Sequence, residues 1–126
     1  MTRYIYNRQV EPPAPFVHVI VGRADGTGAS VTIPALVDSG ADKTVLPHSL
    51  VEEVGLAQVG DVQTAGFNDL GVVLGLFSAR IGIRDLAPVA IDAIAAPGEE
   101  YVLLGRDVLN RHRVTLDGPS LLCLIE

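Results

Sequence analysis

One stretch of the sequence places a carboxylate where it could do chemistry. Asp38 follows the apolar residues 35–37 and is followed at once by Ser39 and Gly40. Such an apolar run predicts a buried strand, and the end of that strand would direct the carboxylate out of the core. Gly40 allows a sharp turn and the close approach of a ligand, while the Ser39 hydroxyl can fix the turn by local hydrogen bonding. An ordinary Asx turn uses the same residue types, so these three residues alone do not identify an active site.

A second motif makes the first one more specific. Residues 103–107 read Leu-Leu-Gly-Arg-Asp, two apolar residues followed by Gly and the basic start of a predicted helix. With both motifs present, the sequence resembles the retropepsins, the dimeric aspartic proteases of retroviruses, and their cellular relatives. Residues 38–42, Asp-Ser-Gly-Ala-Asp, match the catalytic loop of that family, and residues 103–107 match its second motif. The resemblance runs from about residue 31 to residue 116, and a hairpin lies between the motifs where the family has its flap.

The resemblance implies a fold and a role for each matching position. The implied fold is all-β with two short helices, a retropepsin-like acid-protease fold that closes only as a two-fold homodimer. Asp38 would be the catalytic residue, Ser39 and Gly40 would form the active-site loop and grip the partner, and Asp42 would form a structural ion pair with Arg106. The substrate-binding residues implied in this way are Gly40, Ala41, Asp42, Gly66, Phe67, Leu70 and Gly71.

The chemistry of amide hydrolysis gives a second reason to expect a dimer. Carboxylates that cleave an amide without a metal need one group to take a proton from water and another to hold the carbonyl oxygen. Two aspartates a few Å apart share one proton, so one can act as base and the other as acid. The sequence contains a single Asp-Ser-Gly, so a second Asp38 must come from another copy of the chain through a two-fold interface.

The sequence around these motifs predicts many short strands, which form one domain over residues 1–126. Residues 1–15 contain three prolines and are predicted to form an extended N-terminal arm. Residues 61–83 are predicted to form the flap hairpin. Ser49 and Glu52 have the spacing of a capping box, with Gly55 placed to end a short helix, and residues 107–113 predict a second helix. Residues 121–125 are predicted to form a last strand, and in this C-terminal extension the sequence resembles the cellular relatives of the family.

The composition argues against nucleic acid as a partner. The formal net charge is −6, Lys43 is the single lysine, aromatic residues make up 5% of the chain and there is no Trp. Phosphate binding needs clustered Lys and Arg, and single-stranded nucleic acid is stacked on aromatic side chains. A hydrophobic content of 48% also leaves apolar surface that a subunit interface would cover.

The residues that commonly bind metals are scattered. His18, His48 and His112 match no metal-ligand spacing with Cys123, and we predict neither a metal nor another cofactor. Cys123 is the single cysteine, which excludes an intrachain disulfide and suits a reducing compartment. No signal-peptide core or membrane-length apolar run is visible, so a cytoplasmic location without a membrane partner is predicted.

The leading hypothesis is an aspartic endopeptidase that cleaves extended peptide or protein substrates through a water activated by an Asp38/Asp38 dyad. Two alternatives keep the same fold. The first is a catalytically silent dimer that grips peptides without cutting them, and the second is an assembly module within a larger precursor. Cleavage of unfolded protein that depends on Asp38 would distinguish the protease from both alternatives.

Overall fold

The computed structural model describes residues 1–64 and 71–126. Within these residues the chain forms ten strands and two short helices, so the prediction of a mostly β protein with two short helices is confirmed. The strands are β1 (Thr2–Ile5), β2 (Phe16–Gly22), β3 (Val31–Val37), β4 (Val45–Pro47), β5 (Gln58–Thr64), β6 (Val72–Gly82), β7 (Val89–Ala96), β8 (Val102–Leu104), β9 (Val114–Asp117) and β10 (Leu122–Ile125), and the helices are α1 (His48–Val54) and α2 (Arg106–Leu109).

Seven strands form the main sheet in the order β2-β3-β8-β4-β7-β6-β5. The β3–β8 and β4–β7 pairs are parallel, and β2 also pairs with β6, so the sheet closes on itself. Alternation along the strands fills the interior. In β2, for example, Val17, Val19 and Val21 are fully buried while His18 and Ile20 between them are exposed. Each buried valine contributes about 1.5–3 kcal/mol relative to leaving it exposed.

A smaller sheet joins the two ends of the chain in the order β1-β10-β9, with both pairs antiparallel. Thr2 and Tyr4 of β1 are buried. The segment 1–15 therefore differs from the predicted extended arm, because its first residues are a strand that packs within the domain. Asn7 and Ala14 then form an isolated bridge that encloses the proline-containing part of this segment.

The helices are short, and their ends agree only in part with the sequence prediction. Helix α1 begins after Pro47, without a side-chain cap, so Ser49 lies inside the helix and the predicted capping box is not formed. Gly55 ends α1 as predicted, with a φ of 77° that favours glycine. Helix α2 ends at Leu109 rather than continuing to residue 113. Neither of these helices is long and apolar enough to cross a membrane, within the residues that the structure describes.

A close backbone contact joins two distant segments of the chain, at Gly105 and at residues 43–44, next to the loop at 38–42. A Cβ atom at Gly105 would lie 2.6 Å from the carbonyl carbon of Lys43 and 2.9 Å from the backbone nitrogen of Thr44, so the position requires glycine. Thr44 is fully buried. It donates its backbone N–H to Asp107 Oδ2 (2.9 Å) and its hydroxyl to Asp107 Oδ1 (2.6 Å). The same hydroxyl accepts the Gly105 N–H at 3.1 Å.

Replacing Asp107 with Ala should destabilise the fold, because the buried N–H and hydroxyl of Thr44 lose their acceptors. We expect the free energy of unfolding to fall by about 2–4 kcal/mol, measured by urea denaturation. Asp92→Ala is the matched control, since Asp92 is exposed on β7, and it should change this free energy by less than about 0.5 kcal/mol. Equal losses in the two variants would contradict a structural role for the Asp107–Thr44 contact.

Candidate active site

Asp38 lies directly after β3, at the place where the parallel β3–β8 pair ends. Its backbone N–H donates to the carbonyl oxygen of Leu104 (3.0 Å), which continues the pairing by one residue. Its carboxylate oxygen Oδ1 accepts the Gly40 N–H at 3.1 Å, and the side chain is half-buried. The predicted strand end and turn are both present, and they leave one face of the carboxylate open to solvent.

The second motif holds the loop that carries Asp38. The Arg106 guanidinium donates from Nη1 to the Ser39 carbonyl oxygen (2.8 Å), and the Arg106 backbone N–H donates to the Ala41 carbonyl oxygen (2.9 Å). The Ala41 N–H in turn donates to the Asp38 carbonyl oxygen at 3.2 Å. The structure thus brings together the two motifs, and the Arg106–Ser39 contact joins residues that are 67 positions apart in the chain. The backbone of the loop is fixed, while the Ser39 side chain stays exposed.

The contact made by Arg106 differs from the sequence expectation. Its guanidinium engages the Ser39 carbonyl oxygen, and the predicted ion pair with Asp42 is not among the contacts of the described residues. Both Asp42 and Arg106 are exposed, so an ion pair between them would add little to stability. The carboxylate of the second motif that has a structural role is Asp107, which binds the buried Thr44.

An apolar surface lies beside the carboxylate. Alternate residues of a strand share a face, so Leu36 lies on the same face as Asp38. Leu36 pairs with Leu103 in the β3–β8 register, and both side chains are half-buried. The residues on the other face, Val37 and Leu104, belong to the core. The Asp38 carboxylate therefore lies on a face of the sheet that also carries two half-buried leucine side chains.

The predicted flap hairpin, residues 61–83, falls on strands β5 and β6, which pair antiparallel over Gln58–Thr64 of β5. Val72 and Val73, near its far end, are exposed at 53% and 62%. Gly71, one of the predicted substrate-binding residues, is exposed just before β6, whereas Gly66, Phe67 and Leu70 lie outside the described residues. Of the other predicted substrate-binding positions, Gly40, Ala41 and Asp42 lie together in the loop after β3.

Sequence reasoning gave no role to Thr44, two residues after the first motif, or to the carboxylate of Asp107, the last residue of the second. A polar residue in the apolar run 44–47 was a weak signal that its hydroxyl needs a buried partner. Nothing in the sequence indicates that this partner lies 63 residues away.

Other nucleophiles are poorly placed for chemistry. The Cys123 thiol is fully buried, and burial raises its pKa, which disfavours the reactive thiolate. No group of three or more His, Cys, Asp or Glu side chains that could hold a metal ion is found in residues 1–64 and 71–126. The half-buried Asp38 carboxylate is the candidate for catalysis that the two motifs single out among the described residues.

Comparison with known proteins agrees with the two motifs. Residues 24–111, more than half of the chain, match the family described as gag-polyprotein putative aspartyl protease. The chain is 33% identical over 90 residues to DNA damage-inducible protein 1 of Kluyveromyces lactis, covering 68% of this chain and 21% of that protein. It is 30% identical over 111 residues to Protein DNA-DAMAGE INDUCIBLE 1 of Arabidopsis thaliana, covering 83% of this chain and 26% of that protein. The chain thus spans about a quarter or less of the length of these relatives.

A solved structure gives the fold. The chain is similar to a retropepsin-like aspartic protease from Rickettsia conorii, with a TM-score of 0.67 and 16% sequence identity. The similarity covers 98% of this chain and 88% of that chain, so the predicted retropepsin-like fold of the subunit is confirmed. The two motifs and the fold of this chain agree with the family match. The chain belongs to the retropepsin-like aspartic protease family.

Proposed function

We propose that the protein is an aspartic endopeptidase that cleaves extended polypeptides between two subunits of a homodimer. The observation that carries this proposal is the half-buried Asp38 carboxylate, held at the end of β3 by the second motif and flanked by Leu36 and Leu103. An extended substrate would lie across this face, and the β5–β6 hairpin would serve as a flap over it. The exposed Val72 and Val73 give that hairpin an apolar surface for the substrate or for the partner's hairpin.

The reaction needs one proton shared by the Asp38 carboxyl groups of two subunits. The ionised carboxylate takes a proton from a water molecule while the water oxygen attacks the scissile carbonyl carbon. The protonated carboxyl group donates its proton to the carbonyl oxygen, which gives a tetrahedral intermediate without charge. The intermediate then breaks at the C–N bond as the protonated carboxyl group donates its proton to the leaving nitrogen. One hydroxyl of the intermediate gives its proton to the other carboxylate, so the products are an amine and a carboxylic acid and the dyad is again singly protonated.

The open edge of β9 supports pairing of two subunits. Arg113 and Glu126 exchange both backbone hydrogen bonds, at 3.0 and 2.9 Å. Hydrogen-bonded pairs alternate in an antiparallel ladder, so the backbone groups of Val114 and Leu116 point away from β10. Within the described residues this edge has no strand partner, and the Leu116 side chain is 51% exposed. An unpaired edge of this kind is a template for another strand, and two copies of β9 could pair antiparallel about a two-fold axis.

Asp38→Asn should abolish peptide hydrolysis, because an amide cannot take up and release the proton that the mechanism requires. We expect the rate to fall by about 10²–10⁴-fold or more, measured with an unfolded protein or a peptide library. The dimer should persist, since Asn is nearly the same size as Asp.

Activity of the unsubstituted protein should decline at both low and high pH, as the singly protonated dyad is lost in either direction.

Cleavage retained by a dimeric Asp38→Asn protein would place the chemistry elsewhere and overturn the proposal. Peptide binding without turnover in the unsubstituted protein would instead support the catalytically silent module.

Leu116→Pro should break the dimer and spare the subunit, because Pro removes an N–H that faces the open edge of β9 and is tolerated at edge positions. We expect the dimer dissociation constant to rise by about tenfold or more, measured by sedimentation over a concentration series. Ile5→Pro is the matched control, since Ile5 is 71% exposed and the same alternation directs its N–H to the opposite edge of the sheet. A dimer weakened by Ile5→Pro but not by Leu116→Pro would contradict pairing through β9.

A further inference from the structure

A cavity of about 370 Å³ lies at the other end of β3 from Asp38. One of its walls is the turn between β2 and β3, residues 23–30, whereas Asp38 follows β3. The seven residues of β3 separate the two places by about 20 Å. The cavity is therefore distinct from the candidate active site, and its volume falls within the range of small-molecule sites.

The cavity is unusual for its charge. Three of the nine basic residues of a chain with a net charge of −6 line it, namely Arg23, Arg80 and Arg84. They come from three separate segments: the β2–β3 turn, strand β6 and the turn after β6. No Asp or Glu is among the described residues that line the cavity. Basic side chains that line one concave surface, with no acidic residue among the described lining residues, attract an anion to it.

The β2–β3 turn is shaped to bring its backbone against these guanidinium groups. Gly26 and Gly28 have φ values of 77° and 78°, which favour glycine. A Cβ atom at Gly26 would lie 2.7 Å from Arg80 Nη1, and one at Gly28 would lie 3.3 Å from Arg23 Cδ. The carboxylate within the turn is Asp25, which accepts the N–H and the hydroxyl of Thr27 at 2.9 and 2.7 Å and lines a neighbouring cavity instead.

The guanidinium groups of Arg23 and Arg84 each make a contact of their own outside the turn. Arg23 donates from Nε to the Gly55 carbonyl oxygen at 3.2 Å, which leaves its terminal nitrogens free for another acceptor. The Arg84 guanidinium lies 4.6 Å from the centre of the Tyr4 ring. Arg84 also has a φ of 39°, a left-handed conformation that is uncommon for residues other than glycine and is often found at binding sites.

We propose that this cavity binds a small molecule that carries a phosphate or carboxylate group. Guanidinium groups from Arg23 and Arg80 would bind the oxygens of that group, since their planar donor geometry matches both kinds of anion. Ile20 and Leu86 also line the cavity, and Ile20 is 42% exposed, so the ligand has an apolar part that covers them. The site is independent of the proposed protease chemistry, because it shares no residue with the loop at 38–42.

Inorganic phosphate and citrate are suitable probes for the two chemistries. Titration of the full chain with each, at an ionic strength held constant with sodium chloride, should give a saturable rise in melting temperature, because a ligand bound to the folded state stabilises it. Calorimetry should give the dissociation constants. Tighter binding of phosphate would assign a phosphate group and tighter binding of citrate a carboxylate group, and either result supports the site.

Arg80→Gln should weaken binding of the better probe by at least about tenfold, which corresponds to the loss of one charged contact. Arg8→Gln, at an exposed position outside the cavity, should bind as the unsubstituted protein does. Arg23→Gln should show the same loss as Arg80→Gln and decides the matter if Arg80→Gln fails to fold by circular dichroism. The proposal is overturned if neither probe saturates, or if the folded cavity variant binds as tightly as Arg8→Gln.

Discussion

The backbone contact between Gly105 and residues 43–44 is the constraint on which the rest of the subunit depends. Only a residue without a Cβ atom allows this approach, because the nearest backbone atom would lie 2.6 Å from that atom. The approach brings Asp107 within reach of Thr44 and so satisfies two donors of a fully buried residue. It also sets Arg106 beside the Ser39 carbonyl oxygen. The fold therefore determines the position of the Asp38 loop through its backbone and leaves the Asp38 carboxylate partly exposed.

The same arrangement explains why one subunit is an incomplete enzyme in the proposed mechanism. The loop holds a single Asp38, and among the described residues its carboxylate accepts a hydrogen bond from the Gly40 N–H within the same turn. A base and an acid for amide hydrolysis both have to come from carboxyl groups of this kind. The β9 edge and the exposed Ser39 side chain give the subunit surfaces with which a second copy can pair.

The parts of the structure that depend on local chemistry were predictable from the sequence. The apolar run before Asp38 gave β3, and Gly55 gave the end of α1. Ser49 failed as a helix cap because the helix begins two residues earlier than a Ser49 cap requires, with Pro47 at the cap position. Contacts between distant segments were not predictable, since no periodicity reports them. The pairing of β1 with β10, the Thr44–Asp107 contact and the meeting of three arginines at one cavity belong to this class.

Mixing of subunits tests most directly whether the active site is shared between two copies. Unsubstituted protein is held at constant amount and mixed with increasing amounts of Asp38→Asn protein, with time for subunits to exchange before peptide hydrolysis is measured. If each site needs an Asp38 from both subunits, activity will follow the share of dimers with two intact copies and will fall toward zero as the variant is added in excess. Activity that stays constant, in proportion to the unsubstituted protein alone, would show that each chain carries a complete site and would contradict this account.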